Sequence, residues 1–167
     1  MATVTNSYRA SSDLTIGLGS LGSSATWVAG RESTAYDNTS NLDIDGRLSG
    51  KITVGTTPTA NTQILVWVVA EQKDAVWPDV LDGTDSAETW TNVEMRDASA
   101  KLAAVINVVA TTSDIAYPFE CGSVAALFGG FMPRKFVVFV AHNCTAALHA
   151  TAGNHIISFA GLQKTIA

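Results

Sequence analysis

The stretch Leu42-Asp-Ile-Asp-Gly-Arg-Leu-Ser-Gly-Lys-Ile-Thr-Val54 decides the fold class. Leu42, Ile44, Leu48, Ile52 and Val54 fall on one face at period two, with Gly46 and Gly50 in register. Asp43, Asp45, Arg47, Ser49, Lys51 and Thr53 fall on the other. Successive side chains of a strand point to opposite faces, so the pattern predicts a half-exposed antiparallel strand. The two glycines leave room for a bend or bulge. Gly55-Thr-Thr-Pro-Thr-Ala-Asn61 reads as a turn. Beyond it, residues 62–71 are apolar on both faces, as are 102–110 and 135–141. Strands of that kind are buried on both sides or face a partner, and these three segments are predicted to form the interior.

Toward the N-terminus, Leu14, Ile16 and Leu18 alternate within a predicted strand over 13–20, and Trp27 and Val28 mark another near 26–31. Further strands are predicted over 115–121 and 155–162. Ser123 reads as the N-cap of a single helical turn ending at Gly129, and a short helix is compatible with the start of 94–104. Residues 72–100 are a long polar loop holding Trp77 and Trp90. The segments show no long helix and no internal repeat. The predicted fold is all-β: a single-domain, jelly-roll-like sandwich of about eight antiparallel strands over 13–167. A polar arm, 1–12, precedes it.

Composition narrows the function. A chain of 167 residues suits one domain. Charged residues are 15%, against about 25% in typical domains, and hydrophobic residues are 47%. That balance excludes disorder for the chain as a whole. A net charge of -5 argues against nucleic acid as the partner, because gripping phosphates needs a basic surface. Ten Lys and Arg make no polybasic membrane patch, and no apolar run approaches the roughly 20 residues of a membrane span. The first dozen residues hold no apolar core of a signal peptide, so none is expected. Cys121 and Cys144 read as two reduced, buried thiols of a protein made in a cytoplasm. Low charge with high apolar content implies a surface that is either small or covered by something.

Chemistry-bearing motifs are weak. Gly17-Leu-Gly-Ser-Leu-Gly22 matches a dinucleotide fingerprint in letters, but the segment after it is short, β-branched and broken by glycine, and no helix is predicted to receive a pyrophosphate. Asp43-x-Asp45-Gly46 begins like a calcium loop, but Arg47 and Val54 stand where oxygen ligands belong. Asp79, Asp82, Asp85 and Glu88 cluster in the long loop, where acidic residues also serve as plain turns. His142, Cys144, His149 and His155 lack zinc-site spacing. No serine lies in G-x-S-x-G, and Cys144 near His142 is proximity only. The expectation is no enzyme activity, no cofactor and no metal. Trp77 and Trp90 are read in two ways: as a sugar-stacking pair, or as anchors pinning the loop to the sandwich, the latter favoured by burial statistics.

Several phrases resemble small structural proteins of tailed bacteriophages. They are Gly55-Thr-Thr-Pro-Thr-Ala-Asn-Thr62, Ile64-Leu-Val-Trp-Val68 and Leu81-Asp-Gly-Thr-Asp-Ser-Ala-Glu-Thr89. Phe128-Gly-Gly-Phe-Met-Pro-Arg-Lys-Phe-Val-Val-Phe-Val-Ala-His-Asn143 and Ala147-Leu-His-Ala-Thr-Ala-Gly-Asn-His155 continue the series. The chain thus resembles the jelly-roll proteins that decorate, or cement, phage capsids. The resemblance implies a non-enzymatic virion protein on the outer capsid surface, assembled in the host cytoplasm. Its implied partners are the major capsid protein and further copies of itself in a symmetric homo-oligomer. The alternative is a tail-tip, fibre or glycan-binding jelly roll used in host attachment.

Candidate interface residues follow. Val4, Tyr8 and Arg9 in the arm are predicted to contact another chain, since a polar segment orders when a neighbour supplies partners for its backbone. Tyr8 is the expected anchor, because an aromatic ring gives large contact area at low entropic cost. Trp77 and Trp90 in the long loop, and Phe131, Met132 and Arg134 beside Gly129-Gly130, complete the set.

Overall fold

The computed structural model describes residues 3–166. Its strands are β1 (Val4–Tyr8), β2 (Ser12–Asp13), β3 (Ala29–Glu32), β4 (Tyr36–Asp37), β5 (Asp45–Thr53), β6 (Thr62–Ala70), β7 (Ala87–Thr89), β8 (Ala100–Val108), β9 (Ala116–Cys121), β10 (Lys135–His142) and β11 (Ile156–Ile166). Helices are α1 (Val93–Ser99) and α2 (Val124–Leu127). One sheet runs β1-β11-β5-β9, with β2 also on β11; the other runs β7-β3-β10-β6-β8, with β4 also on β10. Their strand pairings are antiparallel. The fold is an all-β sandwich. Leu162 pairs with both Tyr8 and Asp45, and Ser158 with both Asp13 and Ser49, so β1 and β2 share the edge of β11 opposite β5.

The doubly apolar segments are explained by two cores. Ile64, Val66 and Val68 of β6 and Phe136, Val138 and Val140 of β10 face the first sheet. There they meet Leu48 and Ile52 of β5 and Ile157 and Phe159 of β11. The alternate residues, Trp67, Val69, Val137, Phe139 and Ala141, face outward into a second core. The connection between β6 and β8 folds over them, bringing Leu81 and Trp90 down onto the sheet. Trp90 meets Phe139 edge-on with ring centroids 5.9 Å apart. Arg96 of α1 stacks over Trp67 at 5.0 Å and donates to the Thr26 carbonyl at 2.7 Å. A sheet covered on both faces permits apolar residues at every strand position.

The third segment departs from expectation. Leu102, Val105 and Val109 are exposed, so 102–110 is not interior throughout. Two causes combine: β8 is the last strand of its sheet, and Ala103 is an extra residue where the pairing shifts from Val66↔Ala104 to Trp67↔Leu102. The bulge resets the alternation that the sequence displays. Residues 13–20 also differ, since only Asp13 belongs to a strand; Leu14 and Leu18 still point inward and are buried. Ser123 caps α2 as expected, accepting from Ala126 N–H at 3.0 Å. Asn92 caps α1 through Met95 N–H at 2.8 Å.

The arm is a strand of the first sheet. Met1 and Ala2 lie outside the described residues, while Val4 to Tyr8 pair with Ile166 to Leu162 of the same chain. Arg9 is engaged within its own chain. It faces inward, with Nε 3.1 Å from Asp43 Oδ1 and an Nη donating to Tyr36 Oη at 2.7 Å. Tyr36 in turn donates to Asp43, and its ring packs on Phe136 and Phe159. Burial, with Asp43 alongside, pushes the Tyr36 phenol up to about 12. Asp43 lies against Gly161, where a Cβ would collide with its carboxylate. The Asp43 carboxylate is fully buried, and among the described residues Arg9 is the cation paired with it. Arg9→Met is expected to cost about 2 kcal/mol in urea denaturation, because it strands that charge. Adding Asp43→Asn should recover part of the loss; strict additivity of the two changes would show that the pair is not coupled.

Candidate functional site

One end of the sandwich gathers three loops that carry exposed apolar side chains. The first, 38–44, is shaped by Asn38. Its side chain donates to the Asp43 carbonyl at 2.9 Å and accepts from Asp43 N–H at 2.8 Å. The Asp37 carboxylate closes the preceding turn by accepting from Thr39 N–H and Oγ at 2.8 and 2.6 Å. These bonds hold Asp37 below the usual carboxylate range. Leu42 is forced into the left-handed region, φ 55°, and stands 73% exposed. The sequence pattern places Leu42 on the inner face; the structure corrects this, because β5 begins only at Asp45 and Leu42 belongs to the turn before it.

The second loop follows α2. Gly129 and Gly130 take φ 73° and 94°, which few other residues adopt cheaply, and reverse the chain into β10. Phe131, immediately after, is 80% exposed. Met132 and Leu42 line a groove of about 590 Å³ with Asn38, Thr39, Asp43 and Arg134. The third loop, Lys73 to Val76, presents Val76 and joins the second through an Arg134–Asp74 ion pair at 2.5 Å. That pair is mostly exposed and contributes little to stability. Leu42 and Met132 give the groove an apolar wall beside its polar groups and the Arg134 guanidinium.

The structure thus brings Phe131, Met132 and Arg134 together with Leu42, which the sequence reading missed. The signal available was Asn41-Leu42 ahead of the alternating run, a turn-prone residue before an apolar one. Val4 and Tyr8 are exposed but stand on β1. Trp90 is corrected: at 1% exposure it is an anchor of the second core and has no surface to offer a partner. Trp77 is half-buried against Gly83 and packs on the same core. Of the two readings of the tryptophans, loop anchoring is the one the packing matches.

The remaining candidates have local roles. Asp79 accepts from Thr91, Asp82 from Thr84, and Asp85 from Gly17 N–H and Arg31. Asp45 is not on a solvated face as expected; it accepts from Ser123 Oγ and Ala125 N–H at the start of α2. His142 is buried, its Nε2 2.9 Å from the Leu21 carbonyl, and burial pulls its pKa down. His155 is likewise buried and lowered, between Thr53 N–H and the His149 carbonyl. Cys121 and Cys144 are free and buried, which pushes both thiols up. Among the described residues, no group of three or more His, Cys, Asp or Glu is placed to hold a metal, and no helix is long and apolar enough to cross a membrane.

A broader hollow of about 650 Å³ crosses the outer face of the first sheet over Arg47, Ser49, Lys51, Glu120 and Ser158. Arg47 and Glu120 pair across it at 2.8 Å, so its charges are largely satisfied within the chain. No protein-family model, curated protein or solved structure matches the chain.

Proposed function

We propose that this is a non-enzymatic structural protein of a phage virion, a decoration or cement protein that binds the assembled lattice of the major capsid protein and further copies of itself. The observation that carries the reading is the loop end, where three loops that meet at Arg134 each expose an apolar side chain: Leu42 in the groove it lines with Met132 and Arg134, Phe131 beside Met132 in sequence, and Val76 on the loop whose Asp74 pairs with Arg134. The turn that Asn38 closes on Asp43 leaves Leu42 left-handed with its side chain in water, where a contact surface would use it. The resemblance of the phrases over 128–143 to phage decoration proteins covers the same loop. Strand order supports the jelly-roll form: β2-β11-β5-β9 opposite β3-β10-β6-β8 is the order produced by two Greek keys wound together.

Binding only the assembled lattice stabilises a shell by mass action, because separating capsomers forfeits the contact. Many copies on neighbouring capsomers let modest affinities add. The glycan-binding alternative loses its tryptophan pair, since Trp90 is buried. A tail-tip or fibre location is separated by copy number. Quantitative mass spectrometry of purified particles should give this protein at a stoichiometry comparable to the major capsid protein. A count as low as that of tail components would replace the decoration reading.

A further inference from the structure

We propose that the outer edge of β1 pairs with β1 of a second copy, antiparallel about a two-fold axis through Asn6. The sheet edges are not alike. β9 carries Pro118 and Glu120. β8 carries Lys101 and the bulge at Ala103. β7 has three residues, one of them Glu88. Charges, proline, bulges and shortness are the devices that stop an edge from recruiting another strand. β1, Val4-Thr-Asn-Ser-Tyr8, has none of them apart from its modest length, and among the described residues only β11 pairs with it.

Geometry fixes the register. Arg9 N–H donates to the Gly161 carbonyl at 2.8 Å, so Arg9 is a bonded position toward β11. Alternation in an antiparallel ladder makes Ser7 and Thr5 the next such positions. The N–H and C=O groups of Tyr8, Asn6 and Val4 therefore point away from the sheet. A two-fold axis through Asn6 sets Asn6 against its own counterpart and Val4 against Tyr8 of the second copy, and all the outward groups exchange bonds. It also covers two exposed apolar side chains, Val4 at 59% and Tyr8 at 61%, as cross-strand neighbours. An uncharged strand suits a symmetric contact, in which the axis residue meets its own copy and no neighbouring pair sets like charges together. The same operation on β7 or β9 would bring Glu88 or Glu120 close to its own copy. Arg9 stays clear, turned inward to Asp43. This pairing stands independently of the virion reading.

The test is sedimentation of the full chain over a wide concentration range. Wild type should shift to twice the 17.5 kDa chain mass as concentration rises. Asn6→Pro removes one outward N–H and no bond to β11, so it should keep the native circular dichroism and thermal transition while losing the dimer. Asn6→Lys, which sets like charges on the axis, should do the same and covers the case in which the proline variant misfolds. Asn6→Cys should form a disulfide-linked dimer on oxidation, since directly paired residues lie within disulfide reach. A wild type that stays monomeric at every concentration overturns the proposal, as does a dimer that survives both Asn6→Pro and Asn6→Lys.

Discussion

Val138→Asp is expected to yield no soluble, folded protein. Val138 sits mid-strand in β10, paired with Val68, and is completely excluded from water between the two sheets. Its backbone is already committed, its carbonyl accepting from Ser33 N–H at 2.8 Å and its N–H donating to Ser33 Oγ at 2.9 Å. The strand therefore cannot shift to bring an aspartate to the surface. An unpaired carboxylate there costs several kcal/mol, and the lost apolar contacts add about 2 more. A domain with a total stability of about 5–15 kcal/mol does not tolerate that sum easily. Val105→Asp, on the exposed part of β8, should fold normally. Soluble yield and near-ultraviolet circular dichroism distinguish the two. A native spectrum for the Val138 variant would contradict the assignment of β10 to the centre of the sandwich.

The second large effect concerns pH and Glu32. This residue, in β3, is fully buried beneath the 82–88 segment. Its Oε1 accepts from Asp82 N–H at 3.0 Å and Ser86 Oγ at 3.3 Å, while Oε2 has no partner. Asp82 stands beside it, the Ser86 hydroxyl links it to Glu88, and the neighbouring Arg31 is bound to Asp85. Burial, with Asp82 beside it, pushes Glu32 from 4.5 to about 7. A raised carboxyl pKa means that the folded chain holds the proton more tightly than the unfolded chain. Glu32's contribution to stability is then complete below about 4.5 and is lost as pH rises through about 7. At 1.36 kcal/mol per pKa unit, the swing is on the order of 3 kcal/mol. His142 and His155, both lowered by burial, act in the opposite direction, their contribution being lost as pH falls below the ordinary histidine range. Comparison with Glu32→Gln isolates the carboxyl. The variant should match wild type near pH 4.5 and exceed it in denaturant midpoint at pH 8. Parallel pH profiles for the two proteins would show that Glu32 is ionised in the folded state without penalty.

What the sequence made legible follows from what a local pattern can carry. The alternation of Leu48, Ile52 and Val54 placed β5 correctly, and two-sided apolarity identified β6 and β10 as the covered strands. The same criterion failed at β8, since the bulge at Ala103 and the edge position are properties of the pairing partner. The internal bond of Arg9 was not legible, because Asp43 is 34 residues away and looks solvated in an alternating run. Trp90 looked available because a long polar loop gives no sign of which of its residues folds back onto the sheet. At the candidate site, Phe131, Met132 and Arg134 were legible from the Gly129-Gly130 reversal beside them. Leu42 was not, since its left-handed turn depends on Asn38 bonding across to Asp43.

The most direct test of the central claim is binding of the purified protein to assembled capsids that lack it, followed by co-sedimentation. The loop end predicts saturable binding to assembled shells and none to free capsomers. Leu42→Asp with Phe131→Asp should abolish it, while both changes leave folding intact because both side chains already stand in water. Wild-type occupancy by that double variant, or equal binding to capsomers and shells, would contradict the account.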